Sequence, residues 1–213
     1  KNEFKLLTYS ADSLKRFGFE SNEEMNAFRY TDFSYQKFME AAKKEPYFKN
    51  TIFVFVGDHG IRYNGSLEYF PKSWTEQGLT CEHVPLLFYA PALLKPQRVH
   101  NVCSQIDILP SIASLAKIPY MNNSLGRNLF DTVAYAQVLG HDEIIPRLPK
   151  YTAFVIDHDL HTIGIVNNQY YYLKNLKTGK DDLVSSIGNN PVKESAETDS
   201  VKNYLQQLTD AYY

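Results

Sequence analysis

Two stretches of the chain are almost entirely apolar, whereas apolar and polar positions are mixed along most of the rest. In residues 51–56 a threonine is followed by five apolar residues, and residues 86–90 form a second apolar run. An uninterrupted run of this length is typical of a strand that is buried on both faces, as in a parallel sheet. The pattern therefore predicts two buried strands in the first part of the chain.

A long helix is predicted ahead of the first of these strands. Between residues 23 and 44 most apolar side chains fall at the three- and four-residue spacing of a helix face. Ser21 and the two glutamates after Asn22 form a typical helix start, and two lysines followed by Pro46 form a typical end. A helix that leads through a short loop into a buried strand makes an αβ unit. Residues 1–20 show no clear period, which predicts an irregular entry segment.

A second helix is predicted from about Gln105 to Lys117. Asp107 suits the N-cap position, and Pro110 falls in the first turn, where its missing N–H costs little. We therefore interpret Asp107 as a structural residue, although it carries a carboxylate.

The last third of the chain is patterned differently. Three short strand candidates, residues 151–156, 162–166 and 169–173, are separated by turn-forming residues, which predicts a small antiparallel meander. Residues 177–192 are polar and loop-like. A final helix is predicted over residues 194–208, with one apolar face formed by Val201, Tyr204, Leu205 and Leu208.

These elements predict an α/β fold in a single domain. Residues 1–130 would form part of a mostly parallel sheet flanked by helices, and residues 151–213 would form antiparallel strands and a C-terminal helix.

Composition narrows the class of protein. The 213 residues are 44% hydrophobic and 22% charged, which is enough for one sizeable core. The net charge of −2 and the lack of a clustered basic stretch exclude a nucleic-acid partner. No run approaches the ~18 apolar residues of a membrane span. The two cysteines, Cys81 and Cys103, are interpreted as separate thiols, although they could pair.

The chemistry of the sequence is concentrated where the first apolar run ends, in Gly57-Asp58-His59-Gly60. In open α/β sheets, ligands bind outside the carboxyl ends of the strands. A carboxylate and an imidazole at that edge are both metal ligands, and the glycines allow a ligand to approach the backbone. The alternative is a pair that makes ordinary turn hydrogen bonds, since Asp-His dipeptides are common.

Other candidate site residues lie in the loop beyond this strand and ahead of the next one. A polar, aromatic loop of this length predicts substrate contacts, for which Arg62 and Trp74 are the candidates. His83 precedes the second apolar run, where a lone histidine is more often a surface residue than a ligand. The Asp-His-Asp-Leu-His sequence of residues 157–161 is interpreted as a solvated hairpin end.

Four motifs occur in an order that resembles the C-terminal half of a sulfatase-type catalytic domain, in the alkaline phosphatase superfamily. They are NAFRYTDFSYQKF at residues 26–38, NTIFVFVGDHG at 50–60, HVPLLFYAP at 83–91 and SQIDILP at 104–110. Within that superfamily the sequence most resembles the lipoteichoic acid synthase branch, the phosphoglycerol transferases.

The resemblance implies roles for three residues. Asp58 and His59 would bind a catalytic divalent metal ion, Mn, Zn, Mg or Ca. His83 would face the phosphate or sulfate group and act as a catalytic residue. The reaction would be a two-step transfer in which a metal-activated hydroxyl attacks phosphorus or sulfur and forms a covalent intermediate. The substrate would carry a phospholipid headgroup or be a sulfated or phosphorylated glycan.

The nucleophile and the Asn-His-x-Pro motif of the family have no counterpart in the sequence. We therefore expect the chain to be part of a longer protein, to bind metal weakly and to be inactive alone. The resemblance implies that the full-length protein is anchored to the membrane by an N-terminal segment and works on the extracytoplasmic side, periplasmic or extracellular.

Two alternatives to the transferase remain open. One is a metal-dependent sulfatase that hydrolyses sulfate esters. The other is a non-catalytic module whose aromatic loop, Tyr63, Tyr69, Phe70 and Trp74, binds a glycan or a lipid headgroup.

Overall fold

The structure is a computed structural model that describes residues 3–61, 70–130 and 152–213. Its helices are α1 (Ala11–Phe17), α2 (Asn22–Ala42), α3 (Lys72–Glu76), α4 (Leu79–Glu82), α5 (Ile108–Leu115) and α6 (Ala196–Tyr212). Its strands are β1 (Phe53–Val56), β2 (Leu86–Tyr89), β3 (Thr152–Asp157), β4 (Thr162–Asn167), β5 (Tyr170–Asn175) and β6 (Asp181–Ser185). Two 3₁₀ turns, Pro46–Asn50 and Gln105–Asp107, precede β1 and α5. The predicted α/β class, with a meander and a C-terminal helix, is confirmed.

Helix α2 begins and ends where the sequence pattern predicts. The Ser21 hydroxyl accepts a hydrogen bond from the Glu24 N–H at 3.1 Å and so caps the first turn. The helix packs on β1 through aromatic rings, and the Tyr35 and Phe55 rings meet edge to face with their centroids 5.0 Å apart. The predicted αβ unit is therefore formed by direct ring contacts between the helix and the strand.

Strands β1 and β2 pair with each other in the antiparallel direction, from Phe53 opposite Tyr89 to Val56 opposite Leu86. The parallel relation expected of two apolar strands is therefore wrong for this pair. The apolar run indicates burial, but the direction of pairing depends on the connection. Here the chain returns through two short helices, α3 and α4, and enters β2 from the end at which β1 finishes.

The chain before α2 is more ordered than its sequence pattern indicates. Helix α1 forms within it, and the segment ahead of α1 lies along α2. Asn26 exchanges two hydrogen bonds with the Leu7 backbone, and Asn22 does the same with Tyr9. Arg29 donates to the Lys5 carbonyl at 3.0 Å. Polar side chains on one face of α2 therefore bind alternate residues of an extended segment.

The C-terminal part is a four-stranded antiparallel sheet in the order β3-β4-β5-β6, covered by α6. Three strands were predicted, and β6 corrects the expected loop over residues 177–192. Its five residues are mostly polar, and Leu183 is the side chain that the sheet buries, so the segment lacks a long apolar run. Helix α6 packs Leu205, Val201 and Leu208 on the sheet as predicted, whereas Tyr204 is 50% exposed.

None of the helices in the described ranges has the length and apolar content needed to cross a membrane.

Candidate active site

Asp58 and His59 lie in the turn that follows β1, and both are exposed. The Asp58 Oδ1 atom accepts a hydrogen bond from the backbone N–H of His59 at 3.0 Å, which holds the carboxylate against the backbone of the turn. This is the ordinary turn bond that the sequence left open as an alternative. It does not bury either group, so both remain accessible to a ligand.

The ring of His59 is held in one tautomer. Its Nδ1 atom lies 2.8 Å from the carbonyl oxygen of Gly60. A carbonyl oxygen can only accept, so the proton is on Nδ1 and the lone pair of the neutral ring is on Nε2. The bond to Gly60 and the nearby charge of Asp58 raise the pKa of His59. The arrangement matches that of metal-binding histidines, in which one ring nitrogen is bonded to the protein and the other binds the metal.

Gly60 brings this turn against the segment that carries His83. The Gly60 N–H donates to the Cys81 carbonyl, and a Cβ at position 60 would collide with the carbonyl oxygen of Thr80. On the other side of the turn, the Gly57 N–H donates to Pro85 O at 3.2 Å. Gly60 therefore allows two backbones to touch, and the contacts on both sides of the turn place Asp58, His59 and the His83 segment at one end of the β1–β2 pair.

His83 is the C-cap of α4 and leads into β2. Its ring meets the indole of Trp74 edge to face, with centroids 4.9 Å apart and planes at 89°. His83 is exposed as a residue, and the partial burial of its imidazole lowers its pKa. The two candidate histidines thus differ, because the pKa of His59 is raised and that of His83 is lowered.

Gln105 is a site residue that the sequence analysis missed. Its Nε2 atom donates to the carbonyl of Gly57 at 2.6 Å and lies 3.2 Å from that of Asp58. The side chain therefore holds the backbone of the Asp58-His59 turn from the 3₁₀ turn before α5. A glutamine forty-seven residues away gives no local signal for this contact.

Asp107 has a structural role, in a different form from the predicted N-cap. Ser104 caps the 3₁₀ turn, and Asp107 accepts from the Ser104 N–H at 2.8 Å as the other half of a capping box. Asp107 also forms an ion pair with Arg127 at 2.9 Å, and the two side chains are 0% and 4% exposed. Arg127 in turn donates to Thr152 O at 2.8 Å, so this pair links α5 to β3.

The remaining candidate residues divide into three groups. Arg62 lies outside the described residues. The 157–161 sequence forms the predicted hairpin end, in which Asp157 accepts from the Leu160 N–H at 2.9 Å, but Asp157 itself is buried and not solvated. Cys81 and Cys103 are not joined in a disulfide, as predicted. Among the described residues, no three His, Cys, Asp or Glu side chains come together as a metal site.

Part of the chain is similar in sequence to known proteins. Residues 20–118 match the sulfatase family. Arylsulfatase K from Gallus gallus is 30% identical over 148 residues, which cover 67% of this chain and 26% of that protein. Human arylsulfatase K is 28% identical over 127 residues, which cover 57% of this chain and 23% of that protein. The chain thus spans about a quarter of the length of these curated relatives.

Solved structures show the same fold. The lipoteichoic acid synthase LtaP from Listeria monocytogenes aligns over 98% of this chain and 49% of its own, with 16% identity and a TM-score of 0.59. A 2-O GAG sulfatase aligns over 81% and 38%, with 19% identity and a TM-score of 0.53. The sequence match over residues 20–118 is thus to the sulfatase family, and the solved structures with the same fold include a lipoteichoic acid synthase as well as a sulfatase.

Proposed function

We propose that this chain supplies two metal ligands and a catalytic histidine to an enzyme that cleaves a phosphate or sulfate ester by a two-step route. The observation that carries the proposal is the meeting of the Asp58-His59 turn with the His83 segment at one end of the β1–β2 pair. Superfamily members are generally metal-dependent, which agrees with the donor set.

Asp58 would provide an anionic oxygen and His59 its Nε2 nitrogen to a divalent cation, Mn, Zn, Mg or Ca. Such a cation lowers the pKa of an attacking hydroxyl and neutralises charge on the transferred group. The bond from His59 Nδ1 to Gly60 O keeps the ring oriented, and Gln105 keeps the turn in place.

His83 would act on the oxygen that gains charge during the reaction. Its lowered pKa makes the ring neutral near pH 7, and a neutral imidazole still has one N–H to donate. A donor held at that position stabilises the developing negative charge or transfers its proton to the leaving group.

The first form of this function is phosphoglycerol transfer of the lipoteichoic acid synthase type, from a phospholipid headgroup. The alignment to LtaP over 98% of the chain supports it. We further propose that the full-length protein is membrane-anchored and acts on the extracytoplasmic face.

The second form is hydrolysis of a sulfate ester on a glycan. The relatives in sequence support it, since arylsulfatase K is 30% identical to this chain. One structure of the same fold, with a TM-score of 0.56, was solved in complex with D-glucosamine-2-N,6-O-disulfate as its substrate.

We propose that the isolated 213-residue chain has little or no turnover, because the family's nucleophile has no counterpart in its sequence. The test therefore uses a form of the protein that includes the nucleophile, supplied with Mn²⁺. A fluorescent phosphatidylglycerol analogue and a sulfated glucosamine are offered separately. Release of diacylglycerol supports the transferase, and release of inorganic sulfate supports the sulfatase.

Asp58→Ala should reduce either activity by several orders of magnitude, whereas Asp199→Ala, an exposed aspartate on α6, should leave it unchanged. Turnover that is equal in Asp58→Ala and wild type would refute the catalytic proposal and favour a binding module.

A further inference from the structure

Hydrogen bonds to the C-terminal sheet fix the position of Trp74. Its indole N–H donates to the carbonyl of Ser186 at 2.7 Å, just after the end of β6. The neighbouring Ser73 hydroxyl donates to the carbonyl of Ser185 at 2.5 Å. Two consecutive side chains of α3 are thus bonded to two consecutive carbonyls, which fixes both the position and the rotation of this five-residue helix.

The indole also belongs to an apolar cluster that joins the sheet to α4. It packs against a group formed by Leu79, Val155, Tyr171 and Leu173. Leu79 is in α4, and the other three are in β3 and β5. Tyr171 is fully buried and Trp74 is partly buried, so this contact joins Trp74 to the protein interior.

The indole also contacts the candidate catalytic histidine. The backbone of His83 is fixed by its N–H bond to Leu79 O at 3.0 Å, but that bond does not determine the rotation of the side chain. The edge-to-face contact with Trp74, at 4.9 Å between centroids, does. Edge-to-face pairs of this kind contribute energy beyond the area they bury.

We propose that Trp74 is a positioning residue that sets the orientation of the His83 imidazole, so that the four-stranded sheet determines the geometry of the active site. The inference rests on the proposed catalytic role of His83. It replaces the sequence-based prediction that Trp74 binds substrate. The indole N–H is already bonded to Ser186 O, and the side chain packs against the apolar cluster, so Trp74 has little left to offer a ligand.

The first test measures orientation directly in the 213-residue chain, by NMR of the imidazole protons of His83. An adjacent indole displaces these resonances through its ring current. Trp74→Ala should return them to the values of a solvent-exposed histidine. Trp74→Phe keeps a ring but loses the N–H, and it should restore part of the displacement.

The matched control is Phe70→Ala. Phe70 lies against Trp74 with centroids 5.7 Å apart, and its loss should leave the His83 resonances nearly unchanged. Ser73→Ala keeps the indole and removes only the bond to Ser185 O. It should therefore shift the His83 resonances by less than Trp74→Ala does. This variant keeps the proposal testable even if Trp74→Ala fails to fold. Wild-type His83 resonances without ring-current displacement would overturn the proposal.

The second test separates positioning from substrate binding, in a form of the protein that includes the nucleophile. If Trp74 positions His83, Trp74→Ala should lower kcat by up to about 10²-fold with KM nearly unchanged, and Trp74→Phe should recover part of it. A rise in KM with kcat unchanged would show that Trp74 binds substrate and would overturn the proposal.

Catalysis by His83 and its positioning by Trp74 can be refuted independently. If His83→Ala keeps full activity, His83 is not catalytic, and the proposed function loses that residue. The NMR result for Trp74 would still report on the orientation of the ring, so a failure of positioning is distinguishable from a failure of catalysis.

Discussion

The first region of the structure, residues 3–61 and 70–130, and the second region, residues 152–213, differ in their largest fully buried side chains. In the second region the largest fully buried groups are mostly apolar or aromatic: Ile163, Ile165, Tyr171, Tyr172 and Leu205. In the first region they are polar, Asp107 and Ser111. The first region also exposes large apolar side chains along α2 and β1, among them Phe28, Tyr35, Phe38 and Val56.

The difference explains how each region keeps its geometry. The sheet and α6 are stabilised by burial of apolar surface, which is strong but non-directional. The site region relies on directional contacts: the Asp107–Arg127 pair, the amides of α2 and the Gln105 bonds to the Asp58-His59 turn. Such contacts fix the positions of particular atoms, and each contact is lost separately when one of its partners is removed. The site is also tied to the well-packed region, through Trp74 and Arg127.

The largest effect is expected from breaking the buried ion pair. Arg127→Met leaves the carboxylate of Asp107 buried without its counter-charge, and we expect it to lower the free energy of unfolding by about 3–5 kcal/mol. Chemical denaturation monitored by circular dichroism measures this. In the paired variant Arg127→Met with Asp107→Asn no charge is left uncompensated, so the loss should be smaller. Equal losses of unfolding free energy in the single and the paired variant would show that the uncompensated charge of Asp107 is not the cause of the destabilisation.

The second-largest effect on stability is expected from removing apolar packing in the second region. Leu205→Ala empties a site that is 1% exposed, and we expect a loss of about 3 kcal/mol in the free energy of unfolding. Thermal denaturation compares it with Tyr204→Ala, the neighbouring residue that is 50% exposed, for which about 0.5 kcal/mol or less is expected. Similar losses for the two would mean that α6 does not pack on the sheet through Leu205.

A smaller effect is expected from the polar face of α2. Asn26→Ala leaves the N–H and the carbonyl of Leu7 without their partner, at a cost of about 1–2 kcal/mol. Hydrogen exchange at the Leu7 amide should accelerate in this variant and stay unchanged in Asn203→Ala, an exposed asparagine on α6. An unchanged Leu7 rate would show that the extended segment is held by other contacts.

The smallest effect is a pH dependence in the second region. Hydrogen bonds from Lys202 and then from Tyr172 hold the pKa of Asp181 below its ordinary value. A lowered folded-state pKa stabilises the protein above the unfolded-state pKa, and the stabilisation is lost as the pH falls through the folded-state pKa. Asp181→Asn should therefore be less stable than wild type by about 0.5–1 kcal/mol at neutral pH.

Denaturation midpoints of Asp181→Asn and wild type should converge as the pH is lowered below the folded-state pKa. The neighbouring exposed Asp182 offers the control, and Asp182→Asn should show little difference from wild type at either pH. A difference in stability between Asp181→Asn and wild type that does not change with pH would refute the explanation that the charge of Asp181 is stabilised by Lys202 and Tyr172.

The sequence predicted features that depend on local order. The cap at Ser21, the length of α2 and the Gly-Asp-His-Gly turn after β1 all follow from residues close together in the chain. The antiparallel pairing of β1 with β2 and the existence of β6 were missed. The first depends on the path of a long connection, and the second on a partner strand that accepts a mostly polar segment.

The same limit applies to the site. Asp58, His59 and His83 are identifiable because they flank apolar strands and resemble known motifs. Gln105 and Arg127 are not, because a glutamine or an arginine gives no sign of which backbone carbonyl or carboxylate it will reach in the fold. Trp74 was identified, but its bond to Ser186 could not be foreseen, since 112 residues separate them.

The most direct test of the central claim is to titrate Mn²⁺ into the ¹⁵N-labelled 213-residue chain and record which amide resonances broaden. The paramagnetic ion reveals even weak binding through the groups near it. We expect broadening to be strongest at Asp58, His59 and Gly60, to extend to His83, and to disappear in Asp58→Ala but not in Asp199→Ala. Broadening centred on the 157–161 turn, or left intact by Asp58→Ala, would contradict the assignment of Asp58 and His59 as metal ligands.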